Sequence, residues 1–426
     1  MKLPQFHFYF IINQLTNILF MKANKKYFSA LNDKIKGKNV LVIPIVSSID
    51  RKTGKYNLEA DGNINRIITT FSYCDSYKTL KFILPKKRRI VSNSIIDRFS
   101  NSINNDGVSR CNIFYSPNFG IHAGEQRVNK EVFNSLYDEI KNELYKYDYI
   151  FIESQCLAKK LIDKGYANKM IFWNYTCEFV DDGVYYTGIE KSRSFLKGFD
   201  TINKYIMEHV NMTILASPEQ VYYYTCYFGQ DFVNKYTMYI PVFIDRDLPI
   251  FASYSKNDAL ENKLKSYNEG NDTTYYIYLP YRLTDEGYDI DRVIKFISYI
   301  NKIRKKYKNK SALYILYGDP NNSGYMEKVK PYIDNDVKFE QVPIDRDTYY
   351  TLLDSDLHVM IPYFEDIEYI NHASIQEFVS DKAKCQIILT PHESIDKSSI
   401  GLPYNLGDYT RVVVWAPTLP EVSKII

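Results

Sequence analysis

Two doubly wound α/β domains are the fold this sequence predicts, and three observations predict it. The chain has 426 residues, more than one hydrophobic core usually organises, so two domains of roughly 200 residues each are expected. Short β-branched or aromatic runs alternate with helical patterns along most of its length, which is the signature of parallel sheets covered by helices. Near the middle, Ser253 to Asp272 is rich in Ser, Lys, Asn, Glu and Gly and poor in large apolar groups, as suits a linker and the surface start of a second domain. The expected division is a helical extension over 1–30, one Rossmann-like domain over 31–250 and another over 251–426.

The extension is read from Phe6-His7-Phe8-Tyr9-Phe10-Ile11-Ile12 and the following Gln14 to Phe20. Its apolar run is too short to span a bilayer. Only Lys2 precedes the apolar run as a charged n-region, and no small-residue cleavage site follows, so a signal peptide is not expected. A packed amphipathic helix is the reading, with a membrane-surface anchor as its alternative; Met21 is a candidate internal start. The first domain's strands are expected at Asn39–Pro44, Leu80–Leu84, Asn112–Tyr115, Tyr149–Ile152, Met170–Trp173 and Met212–Ala216. The second domain's are expected at Thr274–Leu279, Ala312–Tyr317, Val337–Glu340, Leu357–Ile361, Cys385–Leu389 and Arg411–Trp415. Between its first two strands, Asp291 to Ile300 carries apolar residues at helical spacing.

Composition excludes little and motifs exclude more. Lys+Arg 54 against Asp+Glu 51 leaves a net charge of +3, too small to mark a nucleic-acid protein, although local basic surface remains open. Six cysteines (Cys74, Cys111, Cys156, Cys177, Cys226, Cys385) are scattered without a close pair at metal-ligand spacing. They read as buried thiols in a reducing, cytoplasmic compartment, with a disulfide framework as the alternative. The 40 tyrosines read as structural. Neither half has a Gly-x-Gly-x-x-Gly turn or a P-loop, so dinucleotide oxidoreductases and P-loop NTPases lose their sequence support.

Two doubly wound domains facing a central cleft would present the residues just past their strands to a ligand. Those residues form a recognisable series. Ile214-Leu215-Ala216-Ser217-Pro218-Glu219-Gln220 is followed by a helical pattern and Tyr239-Ile240-Pro241-Val242-Phe243-Ile244-Asp245. Then come Pro280-Tyr281-Arg282-Leu283-Thr284-Asp285-Glu286-Gly287-Tyr288-Asp289, Val342-Pro343-Ile344, Tyr349 to Ser355, and Asp356 to Pro362. From about Thr213 to Leu389 this order resembles the glycosyltransferases built from two Rossmann-like domains, the GT-B fold. The resemblance implies an acceptor-side first domain and a second domain that binds a nucleotide sugar. It also implies an Ile-Pro-x-x-x-Asp crossover, a phosphate loop at Arg282 and Gly287, and a base-binding loop at Pro343 and Ile344.

The chemistry of these residues fits that assignment. Arg282, just past a strand, can offer a guanidinium fork to a diphosphate and stabilise charge on a departing nucleotide diphosphate; a surface salt bridge is the plain alternative. Glu286 stands where many relatives have a lysine. Asn371, His372 and Ser374 open a predicted helix whose free N–H groups and dipole favour phosphate. Glu377, one turn in, matches the family's ribose-binding glutamate; otherwise Asn371 caps the helix and Glu377 is solvated. The Glu-x7-Glu pair is not reproduced, because Glu368 and Glu377 are one step too far apart. No motif calls for a divalent metal or a tightly bound cofactor, so the nucleoside diphosphate sugar is expected as a co-substrate.

On the acceptor side, Ser116 to Glu125 follows a strand and holds His122, an imidazole able to act as base near neutral pH or to brace the loop. Glu178, Asp181 and Asp182 follow the strand that ends in Trp173; a carboxylate there could be the general base or mere loop charge. A looser likeness to phage enzymes that glucosylate modified bases in DNA covers the phosphate loop with arginine but no Lys-Gly, and the acidic residues after an aromatic strand end. Lys86-Lys87-Arg88-Arg89, directly after a strand, could contact phosphates or form a solvated charge run. The readings are thus hexose transfer from UDP-glucose to a hydroxymethylated base in phage DNA, transfer to a surface glycan, or a binding protein without turnover.

Overall fold

The computed structural model describes residues 28–46, 49–50, 53–59, 61–92, 94–104, 109–119, 130–174, 180–181, 184–185, 202–215, 224, 228–240, 248, 250, 256–280, 290–307, 310–319, 323–343, 345–365, 386–391 and 413–415. These fall into two compact units, one holding the described residues up to Ile250 and the other those from Lys256 onward.

The first unit contains β1 (Asn39–Ile43), β2 (Ile49–Asp50), β3 (Lys55–Asn57), β4 (Thr79–Pro85), β5 (Ile90–Ser92), β6 (Cys111–Ser116), β7 (Tyr149–Ile152), β8 (Met170–Asn174), β9 (Val180–Asp181), β10 (Val184–Tyr185), β11 (Met212–Leu215) and β12 (Thr237–Tyr239). Seven of these form one parallel sheet in the order β12-β11-β8-β7-β1-β4-β6. All six expected strands are in it, and β12 adds an edge. Parallel sheets are covered on both faces, and β1 accordingly buries Val40, Leu41, Val42 and Ile43 together. The helix Gly62–Tyr73 shows how one face is covered. Asp61 caps it by accepting the Ile64 N–H at 3.0 Å, and Ile64, Ile67, Ile68 and Phe71 recur at helical spacing, all buried. Phe71 then meets Phe82 and Phe151 edge-on at 6.4 and 5.1 Å, and each such fully buried side chain contributes about 1.5–3 kcal/mol.

The second unit contains β13 (Thr273–Leu279), β14 (Ser311–Tyr317), β15 (Val337–Gln341), β16 (His358–Glu365), β17 (Gln386–Pro391) and β18 (Val413–Trp415), paired in parallel as β15-β14-β13-β16-β17-β18. The expected helix runs Ile290–Tyr307, with Val293, Phe296, Ile297 and Ile300 buried against β13 and β14. Asp291 near its start and Arg304, Lys305 and Lys306 near its end suit the helix dipole. β16 runs four residues beyond the expected strand, through Pro362. Its pairing with β13 ends at Met360 while pairing with β17 continues through Pro362, so the missing proline N–H interrupts no bond to β13. Both sheets are doubly wound, and the predicted fold class is met in each unit.

Sequence reading did not foresee the three-stranded sheet β2-β3-β5. Its strands are two or three residues long, too short to display a period. No helix among the described residues is long and apolar enough to cross a membrane.

Candidate functional site

In a doubly wound sheet, ligands bind outside the carboxyl ends of the strands where the order reverses. In the first sheet that point lies between β1 and β7: β4 and β6 follow on one side, and β7, β8, β11 and β12 on the other. The chain leaves β1 through Pro44, Ile45 and Val46 and leaves β7 through Glu153 and Ser154. Glu153 is 7% exposed, and its carboxylate accepts the N–H of Ile45, tying the two strand exits together. Asn63 donates to the Ile45 carbonyl at 3.4 Å. Ser154 caps the next helix by accepting the Leu157 N–H at 3.3 Å. Glu153 escaped the sequence reading; the available signal was an apolar strand followed at once by Glu-Ser-Gln at a helix start.

Neighbouring exits on the same edge are also braced. Ser116, the last residue of β6, donates to the Glu139 carboxylate, which also takes the Asn118 side-chain N–H at 3.1 Å. Asn174, the last residue of β8, donates to the buried Tyr224 hydroxyl at 2.6 Å. Lys86 follows β4 directly and caps the 3-10 turn Lys87–Arg89, which is closed by the Arg89 N–H donating to the Lys86 carbonyl at 2.7 Å. Lys87 and Arg88 are exposed, and the Lys87 ammonium lies 6.0 Å from the Tyr115 ring.

The other expected site residues divide as follows. Asp181 is in β9, opposite Val184 of β10. Pro343 is exposed just past β15, after Val342 donates its N–H to the Tyr317 carbonyl at 2.8 Å. His122, Glu178, Asp182, Arg282, Gly287, Ile344, Asn371, His372, Ser374 and Glu377 lie outside the described residues.

The topology of the second sheet still bears on them. Its order reverses between β13 and β16. Arg282 is three residues past Leu279, the end of β13, and Asn371 is six past Glu365, the end of β16. Among the described residues, no group of His, Cys, Asp and Glu side chains could hold a metal ion.

No protein-family model matches the chain, and no curated protein matches it in sequence. Solved structures do align with it. The Arabidopsis thaliana protein UGT89C1 complexed with UDP-L-rhamnose is 12% identical, with 92% of this chain and 89% of that one covered and a TM-score of 0.46. An E. coli trehalose-6-phosphate protein bound with UDP-2-fluoro glucose is 13% identical, with 91% and 90% covered and a TM-score of 0.46. The α,α-trehalose-phosphate synthase (UDP-forming) of Burkholderia xenovorans, in complex with glucose-6-phosphate, is 11% identical, with 91% of each chain covered and a TM-score of 0.49. These three solved structures, to which this chain is similar in fold, are GT-B glycosyltransferases.

Proposed function

We propose that this protein is a glycosyltransferase that moves a hexose from a nucleoside diphosphate sugar, UDP-glucose, to the hydroxyl of a hydroxymethylated base in DNA. One observation carries the donor half of this reading. The two segments singled out from sequence for the donor, at Arg282 and at Asn371 to Glu377, follow the two strands between which the second sheet's order reverses, where such sheets take nucleotides.

In this reading Arg282 pairs with the diphosphate, with Gly287 in the same loop. Asn371, His372 and Ser374 donate to phosphate, Glu377 accepts from the ribose hydroxyls, and Pro343 and Ile344 flank the base. The acceptor oxygen forms a bond to the anomeric carbon as the bond from that carbon to the diphosphate breaks, and the nucleoside diphosphate leaves. The acceptor proton passes to a base on the first domain: Glu178, Asp181 or His122. Negative charge grows on the departing diphosphate, and a fixed guanidinium stabilises it more in the transition state than in the ground state.

Calorimetry with UDP tests the donor assignment. Arg282→Ala should weaken binding by about 1–3 kcal/mol, the cost of a lost charge-assisted hydrogen bond, and Glu377→Ala should weaken it less. Unchanged affinity in both folded variants would end it. Transfer of labelled sugar to hydroxymethylated duplex DNA, plain DNA and oligosaccharides tests the acceptor. Robust transfer to oligosaccharides alone would move the acceptor to a surface glycan, and absence of both transfer and donor hydrolysis would leave a binding protein.

A further inference from the structure

The small sheet β2-β3-β5 changes what the basic turn belongs to. β5 continues from Arg89 without a break, and β3 lies beside it in parallel with Tyr56 opposite Ile90. Lys55 and Arg89 are the residues immediately before that pair, on strands roughly 5 Å apart. A lysine distant in sequence is therefore brought beside Lys86 to Arg89. Lys55, Lys87 and Arg88 are exposed, and Lys86 and Arg89 are half-buried.

Among the described residues, none of these five cations is engaged by a carboxylate, and the one aromatic contact they make is that of Lys87 with Tyr115. Like charges gathered without counter-charges repel one another, so the arrangement favours an anion brought from outside. Its geometry suits a polymer: Lys87–Arg89 occupy one 3-10 turn, whose successive side chains point about 120° apart, so they cannot all converge on a single small anion. Lys55 adds a charge on the neighbouring strand and widens the cluster. This surface follows the carboxyl end of β4, on the edge where Glu153 and the β6 exit lie.

We infer that the seam of β3 and β5, with the turn Lys86–Arg89, is a docking surface for the phosphate backbone of duplex DNA, with Lys55 as a contact that the sequence did not reveal. The identity of the polymer rests on the proposed DNA acceptor; the surface itself rests on the seam. Lysine and arginine contacts to phosphate release counterions, so log K falls with log salt at a slope of about 0.9 per phosphate neutralised.

The test is fluorescence anisotropy of a labelled duplex across a salt series, using the full chain. Lys55→Gln should make the slope shallower by about 0.9, and neutralising Lys86, Lys87, Arg88 and Arg89 together by up to about 3.6. Lys87→Gln with Arg88→Gln, both exposed, serves if the fourfold variant fails to fold. Lys78→Gln removes the same charge from the opposite, amino edge of the sheet, where Lys78 precedes β4, and should leave the slope unchanged. An unchanged slope in Lys55→Gln, an equal change in Lys78→Gln, or no salt-dependent DNA binding by the unaltered protein would overturn the inference. So would equal binding to heparin or to anionic vesicles, which would assign the surface to another polyanion. Transfer to hydroxymethylated DNA with slopes indifferent to Lys55 and the turn would refute the surface but keep the acceptor. The predicted slopes without any transfer would do the reverse.

Discussion

Replacing Glu153 tests how the carboxyl edge of the first sheet is held together. Its buried carboxylate accepts the Ile45 N–H. In Glu153→Gln an acceptor oxygen remains for the Ile45 N–H, so the cost is at most about 1 kcal/mol, the difference between a hydrogen bond to a charged acceptor and one to a neutral acceptor. In Glu153→Ala the Ile45 N–H loses this acceptor away from water, adding about 1–3 kcal/mol of desolvation and bringing the total to as much as about 4. The chain has two tryptophans, Trp173 in β8 and Trp415 in β18. In a Trp415→Phe background, Trp173, buried in the first core, reports on that unit alone. With a urea slope of about 2 kcal/mol/M, the midpoint should fall by at most about 0.5 M for Glu153→Gln and by up to about 2 M for Glu153→Ala. Equal midpoints in all three proteins would show that the bond contributes nothing. A shift in Glu153→Gln as large as in Glu153→Ala would show that charge, and not the acceptor position, is what the site requires.

If a first-domain carboxylate is the base, Glu178→Gln or Asp181→Asn should lower turnover by about a hundredfold or more with donor binding nearly intact; full activity in both and in His122→Ala would place the base elsewhere. The second unit should lose stability in acid. Burial pushes the Glu261 carboxyl up, but hydrogen bonds and charges from Lys256 and Lys265 outweigh it and hold the group below its ordinary value; Asp336 is lowered in the same way by Lys305, Asn301 and Arg304. A depressed folded value means stability fully present above the unfolded value, about 4, and lost as pH falls through the folded one. Trp415 fluorescence in a Trp173→Phe background should therefore show a flat unfolding midpoint down to about pH 5 and a decline below about 4, and a midpoint that rises there would contradict it. Burial pushes the Cys111 thiol up to about 11 and raises Cys74 further, so neither should be alkylated in the native protein at pH 8, as peptide mass spectrometry would reveal.

Elements whose length exceeds their period were legible. β1, β4, β7 and β13 bury consecutive apolar residues on both faces, and the helix Ile290–Tyr307 shows its stripe for several turns. Where two or three residues make a strand, as in β2, β3 and β5, pairing with a distant partner decides and local sequence is nearly mute. Lys55 could not be joined to Lys86–Arg89 from sequence for that reason: only the Tyr56–Ile90 register brings them together. Glu153 was overlooked for a different reason. A carboxylate after a strand looks like loop charge until the neighbouring strand exit is seen to donate to it.

The amino edges of both sheets are held by hydrogen bonds, as the strand exits at the carboxyl edge of the first sheet are. At the amino edge of the first sheet, the Asn39 N–H donates to Asp148 at 2.8 Å and the Thr79 hydroxyl to Asn39 at 2.8 Å. At the amino edge of the second, the buried Arg304 guanidinium donates to Asn301, to the Ser311 carbonyl and to Asp336. Breaking a buried pair costs about 3–5 kcal/mol, and the cost for Arg304 falls toward the low end because Asp336 is 42% exposed and regains water. Substitutions there should change stability while leaving donor affinity alone. At the carboxyl edges, substitution of the exposed Lys87 and Arg88 should leave stability nearly unchanged, and the chain segments leading to Arg282 and Asn371 start there. Glu153 sits at a carboxyl edge yet holds two strand exits together, so a change there should move stability and, through the Pro44–Val46 exit, turnover as well.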